Sequence, residues 1–205
     1  MGAAVGVRQR SSCKEVPVSL TWPDHLLSLT EWSELPQDTS HRLELVEGVL
    51  LVVPRPTALH QRAAARLATL LDDRLPHDLC ALVDVEVVVE AGAGGGPATV
   101  RAPDVVVVPS ALVAQNPARF DAADVVLVVE IESPGTVGTD RVTKAVEYAG
   151  AGIDGYWLLD LVQPVTLTAL TLVDGEYELV GETTGRIDLL TPVPLTVDVS
   201  GLAVR

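Results

Sequence analysis

The chain has 205 residues, a formal net charge of −14 and a hydrophobic fraction of 48%. This length and apolar content predict one folded domain, which we place at residues 21–205, after a flexible N-terminal tail at residues 1–20. Nucleic-acid-binding proteins normally carry a basic surface, so the acidic balance argues against easy DNA affinity. A polyanionic partner would have to meet a local basic patch or a metal ion.

Targeting features favour a cytoplasmic protein. No apolar run approaches membrane-spanning length, and no apolar region follows the basic residues near the N-terminus, as it would in a secretory signal. The two cysteines, Cys13 and Cys80, lack the spacing of a metal site. These features are typical of a reduced cytoplasm.

The first ordered part of the chain predicts a hairpin followed by a helix. Residues 42–53 (RLELVEGVLLVV) first alternate between polar and apolar side chains and then become mostly apolar, with Glu47–Gly48 in the middle. This pattern is typical of a β-hairpin, and Glu44 lies on its first strand. Apolar residues at helical spacing then predict an amphipathic helix over residues 60–75. His60 lies at the start of this helix.

Two antiparallel strands are predicted next. Residues 80–90 (CALVDVEVVVE) alternate between valine and acidic side chains, and residues 99–108 follow a glycine-rich connection. In the second strand, Asp104 stands directly after a proline and before four valines. Residues 109–124 are predicted as a linker with a short helical stretch.

The segment from residue 125 to 161 predicts a strand–helix–strand unit. Residues 125–131 form a short apolar run rich in β-branched side chains, a loop with proline and glycine follows at 133–138, and residues 156–161 form a second buried strand. Between them, residues 139–150 predict a helix from the spacing of four apolar side chains, with Thr139 or Asp140 as its N-cap. The spacing residues are Val142, Ala145, Val146 and Ala149. Such a unit has parallel strands and a right-handed crossover.

Glu130 and Lys144 are predicted to converge on one crevice of this unit. A carboxylate at the end of a buried strand is costly unless it is paired, hydrogen-bonded or bound to a metal. The crossover returns the helix start, with Lys144, over the strand's C-terminal end, where open α/β sheets usually bind ligands. A buried structural ion pair is the alternative interpretation. All basic residues except Lys14 and Lys144 are arginine, so the lysine here indicates a need for a compact ammonium.

Two acidic residues are expected to meet if the strands at 103–108 and 125–131 pair antiparallel. Asp104 then lies beside Glu130, with Cβ atoms about 5 Å apart. Two carboxylates that close repel unless a positive charge lies between them, and their hard oxygens suit Mg²⁺ or Mn²⁺. Glu44 could supply another metal ligand, and Lys144 could neutralise developing charge or orient a water.

The C-terminal part predicts a β-hairpin extension. Asp174–Gly175 stands between alternating stretches of residues 165–180, a strong hairpin signal, and residues 186–190 and 195–199 read as short strands.

Six segments in a fixed order resemble the PD-(D/E)xK nuclease superfamily and, more narrowly, the Uma-type family of bacterial candidate endonucleases. They are RLELVEG (42–48), PRPTALH (54–60), APDVVVV (102–108), VVEIESPGT (128–136), DRVTKAVEYAGAGI (140–153) and YWLLD (156–160). The resemblance implies an α/β fold with a mixed sheet, that is, a restriction-endonuclease-like core with an N-terminal hairpin. It also implies Mg²⁺-dependent phosphodiester hydrolysis, DNA as the expected substrate, and a homodimer.

The resemblance also assigns roles to single residues. Asp104 and Glu130 match the two metal-binding acidic positions, and Glu44 matches the acidic residue that precedes them. Lys144 matches the catalytic lysine, displaced to the following helix. The superfamily's usual lysine position holds Glu132, which we expect to be an exposed loop residue rather than a further ligand.

For the other candidate residues, a purely structural role is an alternative to a functional one. His60 matches a family position and could contact phosphate, support another site residue, or simply begin its helix. Asp140 is expected to cap its helix, and Asp160 to cap the loop after its strand. Tyr148 and Trp157 are expected to pack in the core.

A non-catalytic protein on the same fold is the competing interpretation. The net charge and the displaced lysine favour a nucleic-acid- or protein-binding module in which the acid–lysine cluster serves structure. Fold alone does not fix function.

Overall fold

The structure is a computed structural model that describes residues 23–36, 42–132 and 138–202. Its helices and strands form a mixed α/β fold. The predicted tail at 1–20 and residues 133–137 of the loop predicted at 133–138 lie outside these ranges. The helices are α1 Leu29–Glu34, α2 Ala58–Asp72, α3 Ser110–Val113 and α4 Ala145–Gly150, the last preceded by a π-helical turn at Thr139–Lys144. The strands are β1 Arg42–Val46, β2 Val49–Val53, β3 Leu79–Val83, β4 Glu86–Glu90, β5 Thr99–Arg101, β6 Val105–Pro109, β7 Arg119–Asp121, β8 Leu127–Glu132, β9 Gly155–Asp160, β10 Thr166–Val173, β11 Glu176–Thr183, β12 Arg186–Leu189 and β13 Leu195–Asp198.

Two larger sheets and one small sheet hold these strands. A six-stranded sheet has the order β11-β10-β9-β8-β6-β3, and only β8 and β9 in it run parallel. A five-stranded sheet has the order β2-β1-β5-β4-β7, with β4 and β7 parallel. Strands β12 and β13 form a separate antiparallel pair. The predicted mixed sheet and the parallel strands of the central unit are confirmed.

Both predicted hairpin turns are present. Glu47 and Gly48 have φ angles of 48° and 79°, and Asp174 and Gly175 have φ angles of 49° and 87°. Two successive positive φ angles are the requirement of a type I′ turn, whose twist matches that of the flanking strands. The first turn sets the β1–β2 register, which places Glu44 opposite Leu51.

The strand predicted over residues 80–90 is wrong, because it is two strands in different sheets. Asp84 has a φ angle of 52°, a left-handed conformation that interrupts the extended chain between β3 and β4. The strand predicted over residues 99–108 is interrupted opposite this point, between β5 and β6. There the Asp84 amide donates to the Asp104 carbonyl at 3.3 Å. This double break puts Asp104 where the two sheets meet.

The helix of the central unit differs from its prediction. The turn at Thr139–Lys144 is π-helical, and Gly138 precedes it, so the predicted N-cap residues lie inside the turn. Val142 and Val146, predicted to face the core, are 64% and 70% exposed, whereas Tyr148 is fully buried. A π-helix holds more residues per turn than an α-helix, so the spacing used for the prediction does not apply here.

Alternate residues of the six-stranded sheet face two different cores. One core lies between α2 and the sheet and contains Leu67, Val129 and Trp157. The other lies under α4 and contains Val128 and Tyr148. Glu130 shares the parity of Val128, so its side chain leaves β8 on the α4 side. Within the described ranges, no helix is long and apolar enough to span a membrane.

Candidate active site

Asp104 and Glu130 lie at the adjoining ends of the neighbouring strands β6 and β8. Strands β6 and β8 are antiparallel with Val105 opposite Val129, and one step further aligns Asp104 with Glu130. The Ile131 amide donates to Oδ2 of Asp104 at 2.7 Å, which fixes this carboxylate against β8.

Glu130 is held by two donors from the following helix. Its side chain is 4% exposed, its Oε2 lies 2.8 Å from Nζ of Lys144, and its Oε1 accepts a hydrogen bond of 2.8 Å from the Tyr148 hydroxyl. The predicted convergence of Glu130 and Lys144 is confirmed. Burial and the charge of Glu130 raise the pKa of the Tyr148 hydroxyl well above its ordinary value, so Tyr148 stays a neutral donor.

Tyr148 was predicted only to pack, and its contact with Glu130 was missed. It stands four residues after Lys144, a spacing that places both side chains on one face of a helix. That spacing was the available signal. Trp157 is buried, as predicted.

Glu44 lies on the other side of Lys144, but arginine holds it. Its Oε1 is 3.9 Å from Nζ of Lys144 and accepts from the Ala102 amide at 3.2 Å, while its Oε2 accepts from Nη1 of Arg101 at 2.9 Å. Arg101 also donates twice to Glu147 of α4, at 2.7 and 2.6 Å. Although burial opposes its charge, these carboxylates raise the pKa of Arg101 above its ordinary value.

His60 supports Asp104. Its Nε2 lies 3.2 Å from Oδ2 of Asp104 and 3.2 Å from the Ile131 carbonyl oxygen. Burial opposes the imidazolium, but the hydrogen bond and charge of Asp104 raise the pKa of His60 above its ordinary value. Burial also opposes the Asp104 carboxylate, yet His60 lowers the pKa of Asp104 below its ordinary value. The structure therefore favours the supporting role among those open to His60.

Arg42 is a further neighbour that sequence analysis missed. Its Nη1 is 3.5 Å from Oδ1 of Asp104, its Nε is 3.0 Å from Oδ1 of Asp84, and it donates to the Ala102 carbonyl. No spacing in the sequence relates Arg42 to Asp104, because the contact depends on how the two sheets meet.

The predicted site residues share one pocket. It has a volume of about 180 Å³, and its lining includes Glu44, His60, Asp104, Glu130 and Lys144. The sequence separation between these residues is large, so the pocket exists only in the folded chain.

Glu132 is not an exposed loop residue, and that expectation is wrong. It is the last residue of β8 and is 6% exposed. Arg141 holds it, with Nε 2.6 Å from Oε1 and a hydrogen bond of 2.8 Å from Nη2 to Oε2. The strand continues one residue further than predicted, and the π-helical turn returns Arg141 over its end. By contrast, Asp160 caps its loop as predicted, accepting from the Val162 amide at 2.8 Å.

The donor set suits a hard cation in part. In the described segments, no group of three or more His, Cys, Asp or Glu side chains is arranged to hold a metal ion. Mg²⁺, however, commonly binds through one or two carboxylates together with waters and substrate phosphates. Asp104 and Glu130 supply two carboxylates to the pocket wall, the kind of ligand that Mg²⁺ or Mn²⁺ takes. Both oxygens of Glu130 have donors, as both oxygens of Glu44 do.

Comparison with known proteins decides the family. A family model described as "Uma2: Putative restriction endonuclease" matches residues 29–204. The chain belongs to the Uma2 family. A crystal structure from Anabaena variabilis ATCC 29413, described as a "putative nuclease belonging to DUF820", shares the fold of this Uma2 protein. Its TM-score is 0.63 at 21% sequence identity, over 86% of this chain and 97% of that chain. No protein of curated function matches.

Proposed function

We propose that this Uma2 protein is a Mg²⁺- or Mn²⁺-dependent endonuclease that hydrolyses phosphodiester bonds of nucleic acid, with DNA as the expected substrate. The observation that carries the proposal is the pocket in which Asp104, Glu130 and Lys144 meet, with Nζ of Lys144 2.8 Å from the Glu130 carboxylate. Family membership and the fold support the same class of reaction.

Each residue of the pocket has a chemical role in this proposal. Asp104 and Glu130 would hold the metal, which supplies a Lewis acid for a phosphoryl oxygen and lowers the pKa of a bound water. Lys144 places a compact charge where negative charge develops on the phosphate. His60 orients Asp104, and Tyr148 orients Glu130. Glu44, fixed by Arg101, positions the ammonium of Lys144 from its other side.

A non-catalytic binding module is the second candidate. The observation that favours it is that both Glu130 oxygens and both Glu44 oxygens already have donors. A saturated cluster of this kind also occurs as a purely structural ion-pair network. The net charge of −14 points the same way.

A cleavage assay separates the two candidates. Labelled single-stranded and duplex DNA are incubated with wild type, Asp104→Ala and Glu130→Ala in Mn²⁺ or in chelator, with Glu178→Ala on the exposed edge strand as the control carboxylate. We expect metal-dependent cleavage by wild type and the control, and a loss of at least about 100-fold in both pocket variants, at unchanged circular dichroism.

Two other results have definite meanings. Equal cleavage by wild type and Glu130→Ala would identify a contaminating nuclease. No cleavage by any protein, combined with DNA binding that chelator does not change, would contradict the nuclease and support the binding module. The homodimer belongs to the proposal as well, and light scattering of the purified protein measures it.

A further inference from the structure

The sequence concentrates positive charge in one segment. Between Glu47 and Asp72 there is no acidic residue, although the chain contains 28 of them. This is the longest acid-free stretch of the sequence, and it carries Arg55, Arg62 and Arg66. A chain with a net charge of −14 therefore has a region with the charge that a polyanion requires.

Helix α2 displays Arg62 and Arg66 on its outer face. Its inner face packs Ala63, Leu67 and Leu71 into the core, while Arg62 is exposed and Arg66 half-buried. Arg66 donates to the Gly201 carbonyl at 2.7 Å, which fixes the side chain without neutralising its charge. Within the described ranges, neither Arg62 nor Arg66 forms an ion pair with a carboxylate.

Arg74 extends this basic face beyond the end of α2. Its Nη1 donates to the Leu70 carbonyl at 2.9 Å, and its charge also acts on Asp198. A guanidinium has five N–H donors, so a backbone contact leaves most of them for a ligand.

Three pockets that share lining residues lie in series between this face and the candidate active site. The active-site pocket shares Arg42, His60 and Asp104 with an adjoining pocket of about 240 Å³. That pocket shares Ala65 with a groove of about 420 Å³ along the outer face of α2. Arginines 62, 66 and 74 line the groove together with one acidic residue, Asp73, and Arg55 lines the active-site pocket itself.

We propose that the outer face of α2 is the track for the phosphate backbone of the nucleic acid that enters the active site. Arg55 contacts a phosphate next to the one that is cleaved, and Arg62 and Arg66 contact phosphates further along the same strand. Four residues of α-helix span about 6 Å, so the two arginines can serve successive parts of one strand. Contacts to phosphate position a nucleic acid without reading its sequence. This inference rests on the proposed nuclease function and names how its substrate is held.

Salt-dependent binding tests the track without requiring cleavage. Fluorescence anisotropy of labelled single-stranded and duplex DNA is measured in chelator over a range of salt concentrations. The proteins are wild type, Arg55→Gln, Arg62→Gln and Arg119→Gln. Arg119 lies on β7 at the far edge of the five-stranded sheet and pairs with Glu86, so its variant has the same net charge but a change outside the groove.

The expected result is specific to the track. Arg55→Gln and Arg62→Gln should each weaken binding roughly threefold to tenfold at about 50 mM salt. Each should also reduce the slope of log K against log salt by about 0.7 for single strands and 0.9 for duplex. Arg119→Gln should leave both quantities unchanged.

Three results would overturn the track. The slope of log K against log salt could be equal in all four proteins, Arg119→Gln could lose as much DNA affinity as the groove variants, or wild type could fail to bind DNA at low salt. Cleavage measured on the same preparations separates this outcome from the nuclease proposal. Cleavage that depends on Glu130 can persist when the track fails. An Arg62 effect on the binding slope can persist when cleavage fails.

Discussion

Two neighbouring ion-pair clusters of this Uma2 protein use different cations. The Arg101 network consists of Arg101, Glu44 and Glu147, and the pocket cluster consists of Asp104, Glu130 and Lys144. In the network, one planar guanidinium donates from three nitrogens to two carboxylates, and the Arg101 and Glu44 side chains are each 3% exposed. This network ties β1 and β5 of the five-stranded sheet to α4.

Around Glu130, the pocket cluster uses smaller donors. Glu130 accepts from the Lys144 ammonium and the Tyr148 hydroxyl. Asp104 accepts from a backbone amide and lies beside the His60 imidazole, with the Arg42 guanidinium at 3.5 Å. Both carboxylates, Asp104 and Glu130, line the active-site pocket. The difference fits the proposal that the Arg101 fork serves the fold, whereas Lys144 and Tyr148 serve the site.

The largest effect should come from breaking the Arg101 network. Arg101→Met leaves Glu44 and Glu147 without their shared cation, so we expect the free energy of unfolding to fall by about 3–5 kcal/mol. Chemical denaturation measures it. Arg119→Met, which removes a partly exposed pair with Glu86, should cost about 0–1 kcal/mol. Equal losses in the two variants would contradict a structural role for the network.

The next effect should be on catalysis, through Lys144→Arg. Its ammonium lies between Glu130 and Glu44, at 2.8 and 3.9 Å, where a planar guanidinium has a different shape and reach. We expect cleavage to fall about 100-fold with the melting temperature nearly unchanged.

Arg141→Lys, one turn earlier, is the matched exchange because Arg141 pairs with Glu132 instead of the pocket carboxylates. It should leave cleavage close to wild type. Full activity in Lys144→Arg would show that the site needs only a positive charge there, and the contrast between the two clusters would lose its functional meaning.

Local patterns predicted much of the fold and part of the site. The β1–β2 and β10–β11 hairpins follow from turn residues that tolerate positive φ. The antiparallel register of β6 and β8 brings Asp104 to the end of β8 that carries Glu130, and the approach of Lys144 follows from the crossover geometry of the central unit. All of these depend on short-range sequence signals.

The features that sequence patterns did not predict depend on how the two sheets meet. Alternation of apolar residues continues through Asp84, so the change of sheet between β3 and β4 leaves no signal in the pattern. Arg42 and Arg101 reach the site from the five-stranded sheet for the same reason. The π-helical turn likewise broke the assumed spacing and exposed Val142.

A smaller effect should follow Tyr148→Phe, which removes one donor from Glu130 and keeps the ring. We expect a loss of about 1.5 kcal/mol in the free energy of unfolding, because the hydroxyl bonds a buried carboxylate. Cleavage should fall about tenfold, as is typical when a group that orients a metal ligand is removed. Tyr177→Phe is the control, since its hydroxyl donates to the Ile153 carbonyl at 2.8 Å outside the pocket. It should lose stability without losing cleavage, and a matching loss of cleavage would contradict the orienting role of Tyr148.

The smallest effect should come from an exposed cluster at the start of α1, which shows what solvent does to the same kind of contact. Glu31 accepts from the backbone amide of Ser28 at 2.9 Å, from the Ser28 hydroxyl at 2.7 Å and from His25 at 2.9 Å. These contacts, the backbone amide first, lower the pKa of Glu31 to about 2 from an ordinary value of 4.5.

A carboxylate whose pKa is lower in the folded state stabilises the fold above its unfolded pKa and loses that contribution as the pH falls. The melting temperature of wild type should therefore exceed that of Glu31→Gln above pH 4.5, and the gap should close as the pH falls from 4.5 toward about 2. Glu34→Gln, at the other end of α1, corrects for the general effect of acid. A gap that stays constant over this range would show that the charge of Glu31 does not stabilise the cap. The Arg101 network would then be the better guide to where ion pairs stabilise this fold.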